Sequence, residues 1–217
     1  MPQGERWPVP FVIDFHNLAV DAVVVFCVSL FLAVMISAEA QAWMATTLGD
    51  TRPDAKDRFH FNFFRHLSIL GTISFFVGGF GWPKHVDIDS SKFRYPRLYT
   101  FFTRLAGPIA NLLLASIAGS MILFGKFIDL DPQVFFMVIG VNVTTAVYNL
   151  LPIPPLVGGV VLTSFIPERF AELKRLIAHL GPFTIIGLFL LERASQTGIV
   201  SPYLNPIVVA IFKFIKG

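Results

Sequence analysis

Residues 37–50 read "SAEAQAWMATTLGD" and close a long apolar run. Glu39 and Gln41 sit inside it. A carboxylate can carry a proton or receive a donor, and an amide can both give and accept a hydrogen bond. An ionisable group at membrane depth is costly and marks a functional place by default. Three readings are open for this stretch: a catalytic site, the remains of one, or a contact surface. A carboxylate near the end of a membrane helix can also be protonated there, or bonded to a neighbour. His66, Asn111 and Asn149 are further binding candidates. Asparagines within apolar runs can glue helices together. His66 reads as a structural hydrogen-bonding histidine.

The elements that must position these residues are membrane helices. The chain has 217 residues, of which 54% are hydrophobic and 14% charged, and its mean hydropathy is +0.68. A soluble domain carries about a quarter charged residues, so the expected class is an all-α polytopic membrane protein. The net charge of +3 is modest, and the basic residues fall in loops. That points to membrane orientation, with the lipid bilayer as partner and no nucleic acid. Cys27 stands alone and reads as packing. The start "MPQGERWPVPF" lacks a basic leader and a small-residue cleavage site, so no signal peptide is expected.

A helical span needs about 20 apolar residues. Residues 22–38 form one uncharged run that extends past Glu39 to residue 48, where Gly49-Asp50 stops it. Residues 105–124 form a second span bracketed by Arg104 and Lys126, and residues 134–151 a third, ended by "PIPP". Residues 176–191 are a plausible fourth. Residues 66–80 are too short to cross and read as re-entrant or buried between helices. Residues 206–215 carry Lys213 and are expected at the interface. The bundle thus has about four to six membrane segments. With 66–80 re-entrant, the basic residues of loops 49–65, 81–104 and 152–175 share the cytoplasmic side. Residues 1–17, with Asp14 and His16, form an expected interfacial arm, and residues 18–217 the membrane domain.

Several separated stretches then line up in one order: "LGD" at 48–50, "FNFFRHLSILGT" at 61–72, "FGWPKHVDIDSSKFRYPR" at 80–97, "LAGPIANLLLA" at 105–115 and "YNLLPIPPLVGG" at 148–159. This pattern resembles the compact site-2 proteases, which are intramembrane zinc metalloproteases. The resemblance covers about residues 20–190. It implies a site-2 protease-like helical bundle whose first helix carries His-Glu-x-x-His, two imidazoles on one face with a glutamate working on zinc-bound water. It also implies an aspartate just before the Gly-Gly that follows "LPIPPL", and asparagines lining a cleft for an extended substrate, matched here by Asn111 and Asn149.

Anchored on "LGD", the resemblance puts the first ligand at Ser37, the base at Ala38, the second ligand at Gln41 and the aspartate at Val157. Zinc is expected for the family, but these positions offer no zinc ligands, so no cofactor is expected. Glu39 lies one residue from the base position, a rotation of about 100° on a helix. A one-residue slip would instead put Ala38 and Ala42 at the histidine positions. His60, His66 and His85 are the histidines that a rearranged site would need. His85 replaces a family proline and is expected at the interface.

The resulting expectation is a pseudoprotease of the bacterial inner (plasma) membrane, a scaffold or binding subunit for other integral membrane proteins within a complex. The alternative is an active intramembrane zinc metalloprotease with a rearranged site. A weaker third reading has Glu39 line a transport path.

Overall fold

The computed structural model describes residues 8–13, 19–51, 63–125 and 132–217. All the regular structure there is helical, apart from one isolated bridge between Leu67 and Pro83. Eight α-helices follow in order: α1 Val20–Thr47, α2 Phe63–His66, α3 Ile69–Gly78, α4 Pro96–Gly125, α5 Gln133–Tyr148, α6 Val157–Ser164, α7 Ala171–Ser195 and α8 Ser201–Lys216. Most of the N-terminal arm, with Asp14 and His16, lies outside the described residues, as do His60 and Lys126.

Three helices, α1, α4 and α7, are long and apolar enough to cross a membrane. The 28 residues of α1 rise about 42 Å, more than the hydrocarbon thickness of about 30 Å. It stops where expected: Leu48 caps it, and Gly49 follows at φ +120°, a conformation that favours glycine. Two shorter apolar helices, α3 and α5, accompany these three. The ten residues of α3 rise about 15 Å, half the hydrocarbon core.

The centre of the bundle is the mutual packing of α1, α4 and α5. α3 leans on α7, and α8 packs on α5 and α4. Residues 206–215, expected at the interface, are therefore part of a longer helix that buries Val208 and Phe212 in the main core. That core also gathers Phe80, Trp82, Ile139, Val143, Tyr148, Ile185 and Phe189. A second cluster joins Phe26, Leu30 and Val34 of α1 to Phe75 and Val141.

One boundary differs from the sequence reading in a way that matters. Arg104 was expected to bracket a span beginning at residue 105. Instead the helix begins at Pro96, and Arg104 lies well inside it, 7% exposed. A charge ends an apolar run when it must face water. Here it has protein partners, so the helix continues through it.

Candidate functional site

A small polar cleft lies where α1, α4, the 82–86 segment and the turn into α6 meet. Gln41, His85, Arg104, Asn149 and Val157 are among its lining residues. Its enclosed space is ≈ 20 Å³, room for about one water molecule.

The α1 wall is built from small and polar residues. Ser37, Ala38, Gln41 and Ala42 are all buried. Ala38 and Ala42 cluster with Val86 across the gap. Gln41 Nε2 donates to the carbonyl of Ser37, 3.3 Å away, and Gln41 Oε1 accepts from Arg104 Nη1 at 3.1 Å. The same Nη1 donates to the Val86 carbonyl at 3.1 Å. One guanidinium nitrogen thus ties α1, α4 and the 82–86 segment together. The approach of α1 to α4 requires a residue without a side chain. A Cβ at Gly107 would lie 2.5 Å from Ser37 Oγ and 2.9 Å from Gln41 Nε2. One position on, Pro108 lacks the N–H that would bond the Arg104 carbonyl in a regular helix.

The 82–86 segment is fixed from the other side. The Lys84 N–H donates to the His66 carbonyl at 2.6 Å, and Pro83 bridges to Leu67. His85 stands on this wall. Surrounding protein first, and the Arg104 charge second, push its imidazole down to about 4, with Asp87 opposing them. The residue keeps an exposed surface, so water screens part of this effect.

The third wall follows from a helix break. "LPIPP" ends α5 and the chain reverses, so the Gly158 N–H donates to the Asn149 carbonyl at 2.9 Å. A Cβ at Gly158 would collide with the Leu150 carbonyl. This reversal sets Val157 beside Asn149, whose Nδ2 donates to the Thr145 carbonyl at 2.8 Å.

The cleft therefore brings together Gln41, Asn149 and Val157, which are far apart in sequence. Ser37 and Ala38 sit on the same helix behind it. Glu39 turns elsewhere: its Oε1 lies 3.0 Å from His66 Nε2, and both residues are buried. Asn111, fully buried on α4, also lies away from the cleft lining. Neither polar atom of its amide finds a hydrogen-bond partner among the described residues. Sequence reasoning missed Arg104. Its available signal was position: Phe101, Phe102 and Leu105 flank it without any turn-forming residue. Among the described residues, no group of three or more His, Cys, Asp or Glu comes close enough to hold a metal ion.

No family model matches the chain, and no solved structure matches it. It is 31% identical over 187 residues to "Putative zinc metalloprotease YwhC" of Bacillus subtilis (strain 168), covering 82% of this chain and 84% of that protein. This chain belongs to the site-2 protease-like family. The long apolar helices fit a membrane-resident member of that family. The cleft lies where Gln41 meets Val157.

Proposed function

We propose that this chain is a non-catalytic member of the site-2 protease-like family, a multi-pass protein of the bacterial inner membrane. On this reading it works by binding transmembrane segments of other membrane proteins, as a scaffold or subunit of a complex. One observation carries the reading: Gln41, at a family ligand position, spends its amide oxygen on the buried guanidinium of Arg104.

Zinc sites are built from thiolate, imidazole and carboxylate donors. The positions in question supply a hydroxyl at Ser37, an amide at Gln41 and an isopropyl group at Val157. Ala38, at the base position, cannot take a proton. The residues present do not fit a zinc ion, and Arg104 places positive charge where a second cation would be repelled. Glu39 and His66, which could have served a rearranged site, are turned toward each other rather than into the cleft. What is retained is the scaffold: the α1–α4 contact at Gly107 and the "LPIPP" reversal.

Two measurements test this. Elemental analysis of the purified protein should give zinc far below one ion per chain, and a stoichiometric amount bound through His66 or His85 overturns the reading. Affinity purification from native membranes should recover a second membrane protein in fixed ratio. Recovery of the chain alone counts against the subunit role.

A further inference from the structure

We propose that the Arg104 side of the cleft is a carboxylate-binding site, filled by an acidic side chain or a C-terminal carboxylate that a partner's membrane segment presents. The inference rests on the segment-binding reading above and names its chemistry.

Both described hydrogen bonds of the Arg104 guanidinium leave from Nη1. Its Nε–H is buried and finds no partner among the described residues. No bond described for Arg104 uses Nη2 either. Nε and Nη2 together form one edge of the planar fork, which grips a carboxylate through two parallel hydrogen bonds. Arg104 is 7% exposed, and bulk water does not compensate the Nε end of that edge. A buried N–H without a partner is expensive to keep.

The surroundings favour an anion. Lys84 shares the cleft lining. Asn149 uses its Nδ2 on the Thr145 carbonyl, and a primary amide carries a second N–H. Val157 and Val160 bring no competing acceptor. Asp87 lends Arg104 opposite charge, but it is outside the cleft lining. The space of ≈ 20 Å³ admits the oxygen end of one carboxylate and little more. The anchor is rigid as well, because Gln41 Oε1 and the Val86 carbonyl hold Nη1 from two directions.

The test uses the full chain in detergent micelles and two dye-labelled synthetic peptides with the same apolar sequence. One has a single Asp near its end, and the other has Asn there. The Asp peptide should bind the unaltered protein at least tenfold tighter. Arg104→Gln should erase that preference, and so should Arg104→Lys, which keeps the charge but loses the fork. The comparison of the two peptides on the unaltered protein needs no variant, so a variant that fails to fold hides nothing. Equal binding of the two peptides overturns the proposal.

A second arm separates the source of the carboxylate from the site. Sodium acetate is compared with sodium chloride at equal ionic strength, and Tm is read. If neither peptide binds, yet acetate raises the Tm of the unaltered protein and not that of Arg104→Gln, the carboxylate site stands for a small free acid and the segment-binding reading falls. If acetate also has no effect, the site itself is refuted.

Discussion

Glu39 and His66 come from α1 and α2, and their side chains meet at 3.0 Å with almost no exposure. Truncating one takes this bond from the other, which stays buried. Glu39→Leu should therefore cost about 3 kcal/mol of stability. Glu39→Gln keeps an acceptor for the imidazole and should cost about 1 kcal/mol. Thermal unfolding in one detergent resolves the two, and equal losses would mean that the bond contributes little. His85 makes a pH-dependent prediction. Its folded-state value near 4 lies below the ordinary 6.5, so the fold prefers the neutral ring. Between those values the unfolded chain binds more protons than the folded one, and stability falls as pH drops from 6.5 toward 4. His85→Asn should flatten the unfolding curve in that window and leave it unchanged above pH 7. A variant as acid-sensitive as the parent would remove His85 as the source.

At the scale of elements, α1 and α4 fit closely at Gly107. Gly107→Ala would drive a methyl group against Ser37 Oγ and Gln41 Nε2. Over-packing of this kind costs about 1–3 kcal/mol, and here it also loosens the bond from Gln41 to Arg104. A lowered Tm together with a perturbed cleft is the expected outcome, and an unchanged Tm would mean that α4 shifts freely. The helices themselves were largely legible in the sequence. The long apolar runs became α1 and α4, Gly49 ended the first, and the prolines at 152, 154 and 155 ended α5. Arg104 was not legible as an interior residue. A linear reading treats a charge as the edge of an apolar run, and its partners Gln41 and Val86 are 63 and 18 residues away. Length misled at the C-terminus as well, because residues 201–205 continue α8 through a proline at its start. The convergence of Gln41 and Val157 was legible only through the family pattern. Nothing in the local sequence of either position predicts the other.

For the molecule as a whole, the distribution of positive charge predicts which loops face the cytoplasm. Lys92 lies in the connection before α4 and Thr197 in the connection after α7, and both are exposed. In a Cys27→Ser background, Lys92→Cys should react with an impermeant thiol reagent only after the membrane is opened. Thr197→Cys should react in intact cells. Labelling of both from the same side would mean that one of α4, α5 and α7 does not cross, and the inverse pattern, with Lys92→Cys reacting in intact cells and Thr197→Cys only after opening, would overturn the reading of α3 as non-crossing. α5, only 16 residues long, is surrounded by α1, α4 and α8, and twelve of its residues are buried. It is the element around which the rest is arranged, and it delivers Asn149 to the cleft at its C-terminal end.

Trp82 belongs to two neighbourhoods at once. It lies among the lining residues of the cleft and packs with Phe80 in the main core, at a ring separation of 6.3 Å. Trp43, by contrast, is 58% exposed. With Trp7 and Trp43 replaced by phenylalanine, the remaining indole becomes a native optical gauge. Its emission would register any guest entering beside Arg104, without a dye on either molecule.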